Sequence, residues 1–246
     1  MTQPDSRVLR KLPGITAVFP ALNDGGTIGS MVLAARAALR TSAEEYEIIV
    51  VNNGSRDYTG LVLDDLARVL PELQVIHHPG PLGYGGALRT GFAAASKDWI
   101  FYTDGDAQYN PLELKGLVEA ATDGVDVVNG YKIARQDPWY RTVLGRLYHH
   151  TVRLLFGFHL RDVDCDFRLF RRDILEKVPL ESTTGTFGLE MVKRFQDAGY
   201  RFAEVPVSHF PRRYGGSQFF NPHNLYHTAR DLAVLWIRLV VHRDRS

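Results

Sequence analysis

Through its first 130 residues the chain alternates short β-rich runs with helical stretches, and no other feature narrows its fold as much. Ile15–Phe19, Glu47–Val51, Leu73–His77, Trp99–Thr103 and Asp126–Asn129 read as strands. Between them, Thr27–Arg40, Asp57–Leu70, Gly86–Ala95 and Pro111–Ala121 read as helices. Pro111 stands where a first helical turn accepts proline, directly after the capping residue Asn110. The pattern predicts an α/β domain on a largely parallel sheet, and in such sheets ligands bind beyond the carboxyl ends of the strands.

After Tyr131 the pattern changes. An amphipathic helix is expected over Trp139–Phe156, a short strand over Phe167–Phe170, a helix over Phe187–Ala198 and a strand over Phe202–Val207. An irregular basic loop then leads to a last helix, Asn221–His242. With no internal repeat or low-complexity linker, the expected organisation is a mobile arm over 1–13, one domain over 14–220 and a C-terminal helix within 221–246, close to a membrane surface.

Charge and cysteine usage set limits on location and partners. A single cysteine, Cys165, excludes an internal disulfide and suits a reducing compartment, and Met1–Arg7 lacks the order of a signal peptide. The strongest apolar stretch, Leu232–Val241, is interrupted by Arg238 and falls far short of the roughly 20 residues a spanning helix needs. The expectation is a cytoplasmic protein, peripheral on the cytoplasmic face of a membrane if it meets one. Net charge is only +1, yet Tyr131–Arg172 holds nine basic residues against four acidic ones. That excess suits an anionic partner, with solvated helix faces as the alternative. Nucleic acid is not among the expected partners.

Asp104-Gly105-Asp106 ends the apolar run Trp99–Thr103 in two carboxylates one residue apart. Oxygen ligands suit hard cations such as Mg²⁺ or Mn²⁺, and such a pair can present one to a diphosphate, which points to an enzyme of nucleotide-sugars. A simple turn is the competing reading. Pro20–Asp24 and Asn52–Asp57 follow the first two strands, so their polar groups converge on the same sheet edge. In Gly80–Gly91 the glycines let backbone approach a ligand and Arg89 enters the following helix. The spacing matches neither a dinucleotide fingerprint nor a Walker loop, so dehydrogenase and P-loop readings lose ground.

Taken in order, Pro20-Ala-Leu-Asn23, Gly54-Ser-Arg-Asp57, Gly85-Gly-Ala-Leu-Arg-Thr-Gly91, Asp104-Gly-Asp-Ala-Gln108, Asp162-Val-Asp-Cys-Asp-Phe-Arg-Leu-Phe170 and Arg212-Arg-Tyr-Gly-Gly-Ser217 resemble the family 2 glycosyltransferases of GT-A fold. Within them the likeness is to the polyprenyl-phosphate sugar synthases typified by dolichyl-phosphate mannose synthase, and it extends over roughly residues 14–220. It implies a Rossmann-like nucleotide-binding domain with a mostly parallel central sheet and a helical C-terminal extension. It also implies Mg²⁺ or Mn²⁺ at Asp104 and Asp106, with Asp106 preferred as the direct ligand and Gln108 supporting that loop. The nucleotide-sugar would meet Pro20, Ala21, Asn23, Asn53, Asp57, Gly83, Gly86 and Arg89. Lys132, Arg135, Arg141, Arg212 and Ser217 would hold phosphates of donor or acceptor, Arg135 and Arg212 joining the two aspartates as the catalytic set. Surface ion pairing is the competing reading of each arginine.

Two positions depart from the family's pattern. Asn52-Asn53 stands where Asp-Asp is usual, and an Asn carbonyl still accepts a bond from a base N–H while losing the charge. Asp166 stands where relatives commonly have glycine, adding a third carboxylate beside Asp162 and Asp164 or occupying a turn. The expected reaction is metal-dependent, inverting transfer of a hexose from GDP-mannose or UDP-glucose to a polyprenyl phosphate, whose own anion attacks without a general base. A hydroxyl acceptor would instead need a carboxylate base, for which Glu190, Asp164 and Asp166 are candidates. A binding protein that keeps the nucleotide-sugar pocket without turnover is the alternative of another class. The helix with Leu144, Leu147, Leu154 and Leu155 among Arg141, Arg146 and Arg153 would lie at a membrane surface or pack in the core.

Overall fold

The computed structural model describes residues 10–133, 150–212, 214 and 222–242, without the side chains of 222–228. Seven strands, β1 (Leu12–Ala21), β2 (Ala43–Asn52), β3 (Leu73–His77), β4 (Trp99–Thr103), β5 (Val127–Ile133), β6 (Phe167–Arg171) and β7 (Phe202–Ser208), form one sheet. Their order is β3-β2-β1-β4-β6-β5-β7. β1 runs parallel to β2 and β4, β2 to β3, and β5 to β7, while β6 runs antiparallel to both its neighbours. The mostly parallel sheet agrees with the strand–helix alternation. From β1 the chain moves outward through β2 and β3, then returns to place β4 on the other side of β1. The loops after β1 and β4 therefore flank a crevice at the point where the strand order reverses, the place where open sheets bind ligands.

Alternation of side chains along each strand divides the core in two. Trp99 and Phe101 face one apolar cluster, packed by α1 (Ile28–Ser42), α2 (Thr59–Ala67) and α4 (Leu114–Ala120). Ile100 and Tyr102 face the other, packed by α3 (Tyr84–Ala94) and the helix Phe187–Asp197. Apolar residues on both faces are what a doubly covered sheet requires. The predicted helix over Pro111–Ala121 is divided: a 3₁₀ turn, Pro111–Glu113, precedes α4, and Asn110 Oδ1 accepts from the Leu112 amide at 3.1 Å. β1 begins at Leu12, inside the expected arm, because buried Leu12 pairs with Ala43 at the start of β2. Of the expected helix over Trp139–Phe156, residues 139–149 lie outside the described residues and 150–156 are helical.

The C-terminal helix Pro222–Trp236 continues as a π-helical turn, Ile237–Val241. Leu235 and Leu239 pack with Val152, Phe156 and Leu189 in a third apolar cluster. Arg238 pairs with buried Glu190 at 2.7 Å and with Glu181 at 2.7 Å. No helix among the described residues is long and apolar enough to cross a membrane.

One strand position breaks the apolar rule. Arg168 in β6 is wholly buried beneath the crevice, opposite Tyr102 on β4 and Asn129 on β5. Its guanidinium donates to Asn129 Oδ1, to Tyr102 Oη at 2.7 Å, and to the Val163 and Cys165 carbonyls at 3.2 and 3.3 Å. A forked, planar donor set meets four acceptors that lysine cannot reach together. Arg168→Ala strands those acceptors in the interior and is expected to lower the unfolding free energy by about 3 kcal/mol or more, with Arg168→Lys recovering little of it. Urea unfolding of the two variants beside the parent chain measures this.

Candidate active site

The loops that leave β1 and β4 enclose a cavity of about 540 Å³, in the size range of a nucleotide-sized ligand site. Pro20, Ala21, Asn23, Asn53, Gly83, Asp104, Asp106, Gln108 and Arg212, all expected from the sequence, line it together. Asp24, Tyr84 and Asp166 line it as well.

Each wall has a local cause. After β4 the chain turns at Ala107, whose φ of 60° is left-handed and rare for alanine. That turn lets Asp106 Oδ1 accept the Gln108 amide at 3.0 Å, and the bond holds the carboxylate toward the cavity. Gln108 is joined to Phe210 twice, accepting its amide at 2.8 Å and donating from Nε2 to its carbonyl at 3.2 Å. The segment that carries Arg212 is thereby fastened to the loop that carries the two aspartates. Arg212 donates to Asp106 Oδ2 from both Nε (3.1 Å) and Nη2 (2.9 Å), and its Nη2 lies 3.8 Å from Asp24 Oδ1. The Tyr84 hydroxyl donates to Asp104 Oδ1 at 2.8 Å. On the opposite wall Asn53 accepts the Leu82 amide at 2.9 Å and donates to Gly83 O at 3.0 Å, fixing the glycine-rich loop. Gly83 is held at φ 79°, and a Cβ there would meet Thr183 O at 2.2 Å, so its bareness admits a neighbouring loop.

The electrostatics are those of crowded acids. Burial raises the proton affinity of Asp104, and the charges of Asp166 and Asp106 raise it further. Burial also pushes Asp166 up, against the pull of Arg168 and Lys132. Asp24 is raised to about 6 by burial, with the Leu22 amide and Arg212 partly opposing it. Tyr84 is pushed up by its burial and then by Asp104 and Asp166. Arg212 is the one cationic side chain among the described residues lining the cavity, so it faces four carboxylates. Among the described residues no three His, Cys, Asp or Glu side chains are arranged to hold a metal by themselves. Hard oxygen donors in excess of local cations nevertheless fit Mg²⁺ or Mn²⁺, which keep waters and take phosphate oxygens beside one or two carboxylates.

Other expected residues lie elsewhere. Asp57 stands behind the wall, its Oδ2 accepting the Gly25 amide at 3.1 Å and its Oδ1 the Thr59 amide at 3.0 Å. Gly86 lies within α3 and does not line the cavity. Arg89 donates to Glu181 O at 3.2 Å and borders a separate cleft of about 300 Å³ with Phe92 and Arg172. Lys132 Nζ donates to Asp164 O at 2.8 Å and lies 3.8 Å from Asp162. Arg135, Arg141 and Ser217 lie outside the described residues. Of the candidate bases, Asp166 lines the cavity whereas Asp164 and Glu190 do not. Glu190 instead accepts the Glu181 and Ser182 amides at 3.1 and 2.7 Å and pairs with Arg194 and Arg238. Asp24 and Tyr84 both stood inside motifs visible in the sequence, but nothing in a one-dimensional pattern gave their side chains the same direction as Asp104.

A mostly parallel sheet with polar and acidic loops gathered where its strand order reverses defines an open-sheet α/β class of protein. The family described as "Glycosyl transferase family 2" matches residues 16–179, and the chain belongs to it. Among curated relatives, the chain is 30% identical over 206 residues to an undecaprenyl-phosphate 4-deoxy-4-formamido-L-arabinose transferase of Aeromonas hydrophila, covering 83% of this chain and 62% of that one. It is 27% identical over 231 residues to a polyprenol monophosphomannose synthase of Mycolicibacterium smegmatis, covering 87% and 84%. The chain thus spans about three fifths of the first relative's length and most of the second's. A glucosyl-3-phosphoglycerate synthase from Mycobacterium tuberculosis, solved with Mn²⁺, UDP and glucosyl-3-phosphoglycerate, superposes with a TM-score of 0.69 at 21% identity, over 92% of this chain and 79% of that one.

Asp24 gives the crowding a pH signature. With its carboxyl at about 6 when folded and 3.8 ordinarily, the folded state retains a proton that the unfolded state has lost between about pH 4 and 6. Its contribution to stability therefore falls as pH rises through that window and stays low above it. Asp24→Asn is expected to gain about 1–3 kcal/mol over the parent at pH 7.5, with the difference vanishing below about pH 4. Denaturant unfolding of both chains across that range checks the sign.

Proposed function

We propose that the chain transfers a hexose from a nucleotide-sugar of GDP-mannose or UDP-glucose type to a polyprenyl phosphate, with inversion and with dependence on a divalent cation. The observation that carries this reading is the group of carboxylates facing Arg212 across one cavity beyond β1 and β4. The named activities of the polyprenyl-phosphate relatives support it.

A nucleoside diphosphate would lie along the loops after β1 and β2, where Asn23 and Asn53 leave room beside Pro20 and Ala21. When bound at Asp106 and Asp104, Mg²⁺ or Mn²⁺ would offset the charge of the departing diphosphate. Arg212 is suited to bind phosphate oxygens through its planar fork and to stabilise charge as it develops on the leaving group. The acceptor phosphate oxygen forms a bond to the anomeric carbon while the bond to the diphosphate breaks, releasing the nucleoside diphosphate. The attacking group is already an anion, so the protein supplies proximity and charge compensation rather than a base.

An apolar surface supports a lipid acceptor. Val234, Ile237 and Val241 on the C-terminal helix are exposed at 56%, 45% and 55%, and Leu154, at 84%, is exposed on the helical stretch that carries Leu155. Trp236 Nε1 donates to Leu155 O at 2.8 Å and holds the two stretches together. With Arg153 and Arg230 exposed nearby in sequence, this face suits peripheral contact with an anionic membrane.

A second reading is transfer to a hydroxyl of a soluble acceptor, which Asp166 favours as a buried cavity carboxylate of raised proton affinity. Purified protein is to be given radiolabelled GDP-mannose or UDP-glucose with Mg²⁺ or Mn²⁺ and either a polyprenyl phosphate or a soluble phosphorylated acceptor. One labelled lipid, formed only with metal and lost at least about 100-fold in Asp106→Ala, is the expected result. Label only in a soluble product sinks the lipid reading. Full activity of Asp106→Ala would show that the aspartates are a turn and nothing more.

A further inference from the structure

Gly25 and Gly26 follow Asp24 in the loop from β1 and do not line the cavity. Each is bare because a tyrosine ring lies where a side chain would point. A Cβ on Gly25 would come within 2.8 Å of the Tyr58 ring, and one on Gly26 within 2.4 Å of the Tyr214 ring. The two rings meet edge to face, with centroids 6.0 Å apart and planes at 70°. Tyr214 stands two residues beyond Arg212. Asp57 Oδ2 accepts both the Gly25 amide, at 3.1 Å, and the Tyr214 hydroxyl, at 3.4 Å. A single carboxylate is thus bonded to the loop that carries Asp24 and to the segment that carries Arg212.

We propose that Tyr214, seated on the bare backbone of Gly26 and tied to Asp57, is the positioning residue that holds Arg212 over Asp106 and Asp24, and so sets how tightly the site takes a diphosphate. This deepens the reading above and rests on it for the identity of the ligand. Arg212 has a long side chain with much rotamer freedom, and ordering it only when ligand arrives would weaken binding. Its segment is fastened on one side by the Gln108–Phe210 bonds, and Tyr214 supplies the fastening on the other. At 3.4 Å the hydroxyl bond is long, so ring packing on Gly26 holds the seat more than the bond does. Asp57, expected from the sequence beside the nucleotide, then serves the site through this seat.

The seat can be broken from either side. Tyr214→Ala removes the ring, and Gly26→Ala puts a methyl where the ring lies. Gly26 does not have a positive φ, so its backbone accepts alanine. Binding of UDP and of GDP in the presence of Mn²⁺ is measured by calorimetry for both variants, their double and Tyr214→Phe, with thermal unfolding and amide exchange over residues 209–214 alongside. Each alanine variant is expected to weaken nucleotide binding about tenfold and to speed exchange over 209–214, while Tyr214→Phe stays within about twofold. The double variant is expected to be no weaker than either single, because both remove one contact. In turnover the donor KM rises in the alanine variants by a larger factor than kcat falls. Unchanged binding in folded Gly26→Ala, or effects that multiply in the double variant, overturns the proposal. If the parent chain binds neither nucleotide, the ligand reading fails by itself. The seat is then judged by exchange, and unchanged exchange over 209–214 in Tyr214→Ala and Gly26→Ala rejects it.

Discussion

Like charges held together away from water are the constraint around which this molecule is arranged. Asp24, Asp104, Asp106 and Asp166 come from three different loops and meet in one cavity, where burial disfavours the charged forms of Asp24, Asp104 and Asp166. A polypeptide tolerates that only with cations nearby and with a scaffold that prevents the loops from separating. Arg212 supplies charge from above through Asp106, and Arg168 from below, where it pulls against the raised proton affinity of Asp166. Under the proposed function, the negative charge that remains uncompensated is what draws a divalent cation and its diphosphate.

The scaffold is made of few bonds with large leverage. β1 and β4 lie side by side, so the loops that leave them begin in register. Asp57 fastens the β1 loop to the start of α2, and Gln108 fastens the β4 loop to the segment ending at Arg212. On the far side the Arg238–Glu190–Glu181 pairs anchor the C-terminal helix to the loop that approaches Gly83 and supplies Gly185 to the cavity wall.

Much of this was legible in the sequence, for reasons that can be named. β3 and β4 have the bounds expected from their apolar runs, since β-rich segments between helices leave little freedom. The two aspartates, Asn23 and Asn53 were readable because residues at strand ends in a parallel sheet must share an edge, whereas Arg212 was readable only through the family resemblance of its loop. Direction was harder. Arg89 follows a glycine-rich turn, as a phosphate ligand would, yet three-dimensional packing turns it to Glu181 O. Glu190 carries the charge of a base, but Arg194 at i+4 and Arg238 from a distant helix enclose it, and only the first is local. Arg168 reads in sequence as one more contributor to a basic surface and is instead buried, because its two side-chain acceptors lie 39 and 66 residues away in sequence.

Under the proposed function, the excess of buried carboxylates holds a cation that in turn holds a diphosphate. Calorimetric titration of the parent chain with UDP and GDP, once with Mn²⁺ and once with excess chelator, tests it most directly. At least one nucleotide is expected to bind with Mn²⁺ and to lose about a hundredfold or more in affinity without it, since the diphosphate would then face the carboxylates unshielded. Equal affinity with and without metal would contradict it.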